Sequence, residues 1–232
     1  MPAFARLAGA MSRLGGPNSN LHARIGGLTR SECRGLSNVD DYDDRICAIC
    51  ATNSRVRLSV PGNGHCAAYA IGAGLEKATA QSVREAISQA VGDPLNFDEL
   101  ANYVTDAMVG AGETHPNKIT DTAARSVAFA IILRRRAKMH LELATTMKTT
   151  MVLAEWCGDL DFKAAALHYV KTIYLVLTWG AVQIFAPHRG NAPHRGDPQT
   201  LLLSPNLQIP VDALVCVLTS SRDHYEPLVK RP

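Results

Sequence analysis

The chain has 232 residues, which is enough for one domain of ordinary size with an extension, or for two small domains. Hydrophobic residues make up 47% of it and charged residues 19%, a balance typical of globular proteins and not of disordered ones. The net charge of +3 is too small to indicate nucleic-acid binding by itself. The longest strongly apolar run, residues 127–133, is far shorter than the ~20 residues of a membrane helix, so we expect neither a nucleic-acid partner nor a membrane span.

The cysteines argue against a secreted, disulfide-bonded protein. Six of them, at positions 33, 47, 50, 66, 157 and 216, lack the dense spacing of small secreted domains. The N-terminus also lacks the continuous apolar core of ~7–15 residues that signal peptides contain. Both features predict a reducing, cytoplasmic compartment, in which a thiol stays free and reactive.

The N-terminal segment differs in composition from the rest of the chain. Residues 1–31 contain four arginines and no acidic residue. We expect a disordered or leader-like arm over residues 1–38 and one folded domain over residues 39–232. Four aspartates within residues 40–44 suit the positive end of a helix dipole and predict the start of that domain.

The first half of the folded region is predicted to be mainly helical. Residues 55–60 alternate apolar and polar side chains, which predicts a short half-buried strand that ends at the turn 61–64. A helix is expected from Cys66 to about Leu75. Further helices are predicted over residues 81–91, 97–109 and 120–147, with a turn at Pro94-Leu95-Asn96 and a solvated helix face at Arg134-Arg135-Arg136.

The second half is predicted to contain most of the sheet. A helix is expected over residues 160–170, followed by strands over residues 172–178, 181–185, 200–203 and 213–218, the last of which is expected to be the final strand. A tandem repeat over residues 186–197 predicts an exposed loop between strands. Helices followed by strands that are mixed with one helix predict an α+β or α/β fold, with helices packed against a small sheet.

Cys66 lies where thiol catalysis is favoured, directly after a strand and a Gly-rich turn and at the start of a helix. A helix N-terminus stabilises negative charge and is expected to lower the pKa of a thiol. Glycines adopt unusual backbone angles that can turn amides inward. The candidate oxyanion-hole donors are therefore the backbone amides of Gly62, Asn63, Gly64, His65 and Cys66. A buried, unreactive thiol is the alternative interpretation.

His224 is the candidate general base. It follows the apolar strand predicted over residues 213–218, which would hold it in place. Glu226 is two residues further on, on the same side of an extended segment, and would orient the imidazole; Asp223 is the alternative third group. With eight histidines and six cysteines in the chain, the residues alone do not select this pair over others.

Three separated segments resemble the ovarian-tumour (OTU) family of cysteine proteases. Val60-Pro-Gly-Asn-Gly-His-Cys66-Ala-Ala-Tyr69 resembles the strand, Pro-Gly-Asp-Gly-X-Cys turn and helix around the nucleophile of that family. Residues 155–169 and 172–177 resemble its Trp-Gly segment, helix and strand, and residues 215–218 and 223–228 resemble its final strand and His-Tyr segment. The likeness covers roughly residues 54–230.

The resemblance implies a papain-like α+β fold of the OTU type, with a helical subdomain packed on a small, mostly antiparallel β-sheet. It implies a thiol-dependent deubiquitinase that hydrolyses (iso)peptide bonds after the C-terminal glycine of ubiquitin or a ubiquitin-like modifier, without a cofactor or a metal. Cys66 would be the nucleophile and His224 the general base. Glu226 stands where the family commonly has Asp or Asn, and Asn63 stands where it usually has Asp.

Two alternatives retain the resemblance. The departures at Asn63 and Glu226 also suit an OTU-like ubiquitin-binding module with weak or no activity. The short distance from His224 to residue 232 and the composition of residues 1–38 suit a polyprotein-processing cysteine protease of a virus or mobile element, which would act in the host cytosol.

A third alternative is a zinc protein. Cys47 and Cys50 have the two-residue gap that tetrahedral thiolate ligation accepts. The site would have to be completed by Cys33, His22 or His65, because no second close pair follows.

Overall fold

The computed structural model describes residues 39–75, 78–152, 155–178, 180–187, 199–219 and 224–231. The N-terminal arm predicted over residues 1–38, most of the tandem repeat and Asp223 lie outside the described residues. None of the helices in these ranges combines the length and the apolar character that a membrane crossing requires.

The described residues form six α-helices and six strands. The helices are α1 (Val39–Thr52), α2 (Cys66–Gly74), α3 (Ala80–Gly92), α4 (Phe97–Ala101), α5 (Thr122–Thr146) and α6 (Asp159–Tyr169). The strands are β1 (Arg55–Arg57), β2 (Ile173–Leu177), β3 (Ala181–Phe185), β4 (Gln199–Leu202), β5 (Leu214–Leu218) and β6 (Tyr225–Lys230).

All six strands belong to one sheet, in the order β1-β6-β5-β2-β3-β4. Strands β2 and β5 run parallel, with Ile173 opposite Leu214, and the other neighbouring pairs are antiparallel. The prediction of a mixed fold with helices on a mostly antiparallel sheet is therefore confirmed at this level. Strand β6 lies between β1 and β5, so the last strand in the sequence pairs with the first.

Helices cover both faces of the sheet. Ile173 and Leu175 of β2 face a core that α2, α3, α5 and α6 build on one side. Tyr174 and Val176 of the same strand face the other side, where they pack with Tyr42 and other residues of α1. Because successive side chains of a strand point to opposite faces, a sheet buried on both faces needs apolar residues at every position. This explains the continuous apolar runs of β2 and β5.

Most predicted elements are confirmed, and two helix boundaries have clear causes. Helix α2 begins at Cys66, as predicted. Helix α3 begins after Thr79, whose side chain and that of Ser82 cap each other's backbone amides. The helix predicted over residues 97–109 is wrong, because α4 ends at Ala101 and the Tyr103 amide closes a tighter turn onto the Leu100 carbonyl.

Residues 213–218 contain strand β5, as predicted, but the prediction that this strand is the final one is wrong, because β6 follows it. Pro227 lowers the strand signal of this segment, since proline has no N–H to donate to a ladder. In the sheet the Pro227 carbonyl accepts a hydrogen bond from the Leu58 amide at 3.1 Å, and Pro227 is paired with Cys216. The predicted strand over residues 55–60 is correspondingly shorter, with Arg55–Arg57 as its paired part.

The prediction of a solvated face for the arginine run on α5 fails at Arg136. Arg134 and Arg135 are exposed, and Arg135 forms an ion pair with Glu113 at 2.6 Å. Arg136 is 6% exposed and forms an ion pair with the fully buried Asp161. The helix turns one arginine of the run into the core because residue 136 lies on its apolar stripe.

Candidate active site

The loop before Cys66 takes a backbone path that only glycine adopts freely. It connects β1 to α2 through residues 58–65, and Gly64 has φ of +84°. A Cβ atom at Gly64 would overlap the Thr150 carbonyl oxygen. The loop therefore lies directly against the segment that follows α5, and Gly64 is the residue that permits this approach.

Hydrogen bonds within the loop, and from the loop to the segment after α5, fix the shape of this loop. The Thr150 amide donates to the Asn63 carbonyl at 3.1 Å, and the Asn63 Oδ1 atom accepts from the His65 amide at 3.2 Å. The His65 side chain is fully buried, and its Nε2 lies 2.9 Å from the Lys148 carbonyl oxygen, to which it donates. Asn63 thus braces the loop. The His65 amide, which was predicted to be an oxyanion-hole donor, is already hydrogen-bonded to Asn63 Oδ1 within the loop.

A buried arginine ties the loop to two other segments. Arg84 on α3 is 0% exposed. Its Nη2 donates to the Gly64 carbonyl at 2.9 Å, while its Nη1 donates to the Glu155 carbonyl and to His140 Nδ1, both at 3.1 Å. The guanidinium therefore fixes the position of the peptide that lies two residues before Cys66.

The contacts of Arg84 continue into a buried charge network. His140 Nε2 donates to Asp161 Oδ1 at 2.8 Å, and Arg136 Nε donates to the same oxygen at 3.0 Å. Burial lowers the pKa of His140 to about 4, so the ring is neutral and bridges Arg84 and Asp161. Burial opposes ionisation of Asp161, but the charge of Arg136 and the contact with His140 hold its pKa well below the usual range. We call Arg84, His140, Asp161 and Arg136 the buried network.

The Cys66 thiol is itself buried, with 6% of the residue exposed. Burial raises the pKa of this thiol; the backbone amides of Tyr225, Ala67 and Cys66 and the charge of Arg84 lower it, but by less. The expectation of a lowered pKa is therefore wrong in direction, because desolvation of the thiol is larger than the lowering by the backbone amides and by Arg84.

Strand β6 and the residue before it lie against the start of α2 and the loop that precedes it. The Tyr225 amide donates towards the Cys66 sulfur, which places residue 225 against the start of α2. The preceding His224 ring lies over the loop, where a Cβ atom added to Gly62 would be 3.9 Å from its Nδ1. The structure thus places the His224 ring over Gly62 of the loop that leads to Cys66, and Nδ1 is the ring nitrogen on the loop side.

Glu226 lies behind the other ring nitrogen. Its Oε1 is 3.9 Å from His224 Nε2. Its Oε2 forms an ion pair with Arg57 on β1, and Arg57 Nη1 also binds Asp43 of α1 at 2.9 Å. The placement of residues 224 and 226 on one side of the chain is therefore confirmed, and Arg57 holds the longer Glu side chain folded back towards the histidine.

Sequence reasoning missed the buried network. A signal for it exists in the pattern of α5, where Leu133, Arg136, His140 and Ala144 are three or four residues apart and share one buried stripe. Polar side chains at positions that should be apolar indicate partners inside the core. Nothing in the sequence, however, identifies Arg84 and Asp161 as those partners.

The zinc alternative receives no further ligands from the structure. Within the described ranges, no group of three or more His, Cys, Asp or Glu side chains is arranged to hold a metal ion. Cys47 is exposed and Cys50 half-buried on α1, His65 is hydrogen-bonded to Lys148, and Cys33 and His22 lie outside the described residues.

Comparisons with known proteins do not assign the chain to a family. A scan against protein-family models finds no match, and a search of curated proteins finds no significant match.

Proposed function

We propose that this chain is a cysteine-type deubiquitinase of the papain-like OTU type, which hydrolyses (iso)peptide bonds after the C-terminal glycine of ubiquitin or a ubiquitin-like modifier. The observation that carries the proposal is the position of His224, which directly precedes β6, lies over Gly62 of the loop before Cys66, and has Glu226 Oε1 3.9 Å from its Nε2. Cys66, His224 and Glu226 are the positions that the resemblance to the family implies as nucleophile, base and orienting group.

The position of His224 over the loop before Cys66 suits a general base in the first step. His224 accepts the Cys66 proton while the sulfur attacks the carbonyl carbon of the terminal glycine. The C–N bond of the tetrahedral adduct then breaks, and the imidazolium gives its proton to the leaving amine. Water hydrolyses the resulting thioester with His224 again as the base, which regenerates the thiol.

Backbone groups near the sulfur stabilise the oxyanion. The Cys66 amide lies beside the thiol, and the loop that carries Gly62 and Gly64 is held in one shape by Arg84 and Thr150. Donors fixed before the reaction stabilise the developing charge without reorganisation in the transition state. The exposed Gly62 also leaves room beside His224 for the narrow glycine end of a modifier.

Glu226 positions the base. It stabilises the imidazolium that forms after proton transfer and keeps Nδ1 turned towards the loop. The Arg57 ion pair holds this carboxylate in place and shares its charge. A thiol that depends on such a base works in a reducing compartment, and we place the protein in the cytoplasm on that ground.

An activity probe tests this function. The full chain, Cys66→Ala, His224→Ala and Cys47→Ala are tested in two separate assays. One measures labelling by ubiquitin propargylamide, and the other measures cleavage of a di-ubiquitin panel. We expect Cys66→Ala to lose labelling and His224→Ala to be slower by about 10³-fold or more. Cys47→Ala removes an exposed thiol from α1 and should label like the parent. Labelling of Cys66→Ala at the parental rate would contradict the assignment.

The second candidate is a ubiquitin-binding module without activity. Two observations favour it. The pKa of the Cys66 thiol is raised, and the Glu226 carboxylate forms an ion pair with Arg57 in addition to its contact with His224. Binding of ubiquitin by the parent chain without labelling at Cys66 would select the module over the enzyme.

A further inference from the structure

A large cleft lies at the end of the molecule away from Cys66. It has a volume of about 920 Å³ and is lined by Ala73 and Gly74 at the C-terminal end of α2. Cys66 is the first residue of this helix, and at ~1.5 Å per residue the two ends are about 12 Å apart. The volume lies within the ~300–1,000 Å³ typical of small-molecule sites. The cleft is thus separate from the candidate active site.

One part of the lining is cationic. Lys230 and Arg231 are exposed at the end of β6, and Arg55 is paired with Lys230 across β1 and β6. Arg55 is 4% exposed, and its guanidinium is fixed by donating to the carbonyls of Leu228 and Ala213 at 3.0 Å. We call Arg55, Lys230 and Arg231 the cationic side. Lys171, Glu85 and Asp212 also line the cleft, so its lining holds four cations against two carboxylates. The two exposed cations Lys230 and Arg231 favour an anionic group, above all a phosphate.

A different part of the lining carries rings and hydrogen-bonding groups. The rings of His168 and Tyr169 pack edge to face at 4.9 Å, and the Tyr169 hydroxyl donates to the Ser82 carbonyl at 3.4 Å. Glu85 and Gln89 of α3 line the cleft beside them. We call His168, Tyr169, Glu85 and Gln89 the ring side. Helix α6 ends here, and its partial negative charge suits amino or hydroxyl donors and not a phosphate.

The two sides together define the chemistry of a ligand. An anion is favoured at Lys230 and Arg231, whereas the ring side favours a planar group that donates hydrogen bonds. Small side chains at Ala73, Ala78 and Ala86 leave depth between the lining elements. A nucleoside phosphate has both parts in one molecule and a size suited to the cavity.

We propose that this cleft binds a nucleotide, with its phosphates on the cationic side and its base on the ring side. The proposal concerns a second site and does not rest on the proposed function. It is tested by calorimetric titration of the full chain with three probes, which are ATP, adenosine and inorganic tripolyphosphate. ATP should bind with one-to-one stoichiometry and more tightly than either fragment, because only ATP contacts both sides.

Matched variants assign the two sides. The double variant Lys230→Glu/Arg231→Glu should weaken ATP and tripolyphosphate by about tenfold or more, which corresponds to ~1.4 kcal/mol, and leave adenosine unchanged. His168→Ala should weaken ATP and adenosine and leave tripolyphosphate unchanged. Lys118→Glu/Arg134→Glu carries the same change in charge on exposed residues outside the lining, and should bind ATP like the parent. All of these side chains are exposed, and thermal unfolding confirms that each variant is folded.

Three results would overturn the proposal. One is the absence of ATP binding at millimolar concentration. Another is equal affinity for ATP and tripolyphosphate, which would show unspecific attraction of anions. The third is equal weakening of ATP by the control double variant and by Lys230→Glu/Arg231→Glu, which would show that net charge and not the cleft binds the ligand.

Discussion

The two sides of the candidate active site are held in opposite ways. The loop that precedes Cys66 is fixed by the buried network, whose members Arg84, His140 and Asp161 are 0% exposed. On the other side, His224 and Glu226 have side chains that are 20% and 14% exposed, and Arg57, which holds Glu226, is 32% exposed. Water and salt screen the second set of contacts and do not reach the first. The loop before Cys66 is therefore held by buried contacts, and His224 is held by contacts that solvent reaches.

The difference has an energetic consequence. Removing one partner from a buried charge pair leaves the other unpaired in the core, which costs ~3–5 kcal/mol. Exposed ion pairs contribute only ~0–1 kcal/mol. Variants on the two sides should therefore differ greatly in stability, even where both reduce activity.

The largest expected effect is that of Arg84→Met. It removes the donors to Gly64, Glu155 and His140 together, so urea unfolding should show a loss of ~1–3 kcal/mol for each buried acceptor left without a donor, and labelling by the ubiquitin probe should fall. Arg57→Met is the matched control on the other side and should lose ~0–1 kcal/mol. Equal losses in the two variants would remove the distinction between a buried and a solvent-exposed side.

The second effect concerns the backbone of the loop. Gly64→Ala should destabilise the fold by the ~1–2 kcal/mol of a left-handed alanine and, in addition, by the overlap with Thr150. Gly112→Ala is the control for backbone conformation alone, since Gly112 has φ of +80° and no atom within 4 Å of the added Cβ. Thermal unfolding and probe labelling should show the larger loss at Gly64. A loss at Gly112 as large as that at Gly64 would mean that the Thr150 contact is unimportant.

The third effect is a pH dependence that belongs to the buried side. The pKa of His140 is lowered to about 4, so its contribution to stability is complete above the ordinary value of about 6.5 and is lost as the pH falls towards 4. One proton contributes a slope of ~1.4 kcal/mol per pH unit. The stability gap between the parent and His140→Gln should shrink on acidification through this window. A constant gap for His140→Gln would contradict the buried neutral ring.

The smallest effect should be found at the carboxylate behind the base. Glu226→Gln removes the charge next to His224, and we expect probe labelling to slow by about tenfold, which is ~1.4 kcal/mol. Asp43→Asn removes only the second partner of Arg57 and should slow labelling by less than about threefold. High salt should reduce the difference between parent and Glu226→Gln, because these groups are partly exposed. If Glu226→Gln is labelled at the parental rate at low salt, a group other than Glu226 orients His224.

Local patterns were enough to predict much of the fold and the position of Cys66 at the start of a helix. The Gly-rich turn and the alanines after it predict a helix that begins at Cys66, and the apolar runs of β2 and β5 predict buried strands. His224 and Glu226 were selected by the resemblance of residues 223–228 to a known segment, and their spacing places both on one side of an extended chain. Each of these predictions depends on residues that are close together in sequence.

What depends on packing could not be predicted in the same way. Arg84, His140 and Asp161 meet across three helices, and no local pattern links them. The direction of the Cys66 pKa shift is decided by how deeply the thiol is buried, which the sequence does not reveal. Strand β6 was missed because Pro227 opposes strand structure locally, and its pairing with β5 and β1 on both sides outweighs that preference.

The position of β6 between β1 and β5 also bears on synthesis of the protein. A ribosome releases Cys66 and its helix long before it releases the segment that carries His224. Until that segment inserts and closes the sheet, the sulfur has neither a proton acceptor nor the Tyr225 amide beside it. The growing polypeptide therefore carries the Cys66 thiol without these neighbours, and the candidate site is assembled only when the sheet is complete.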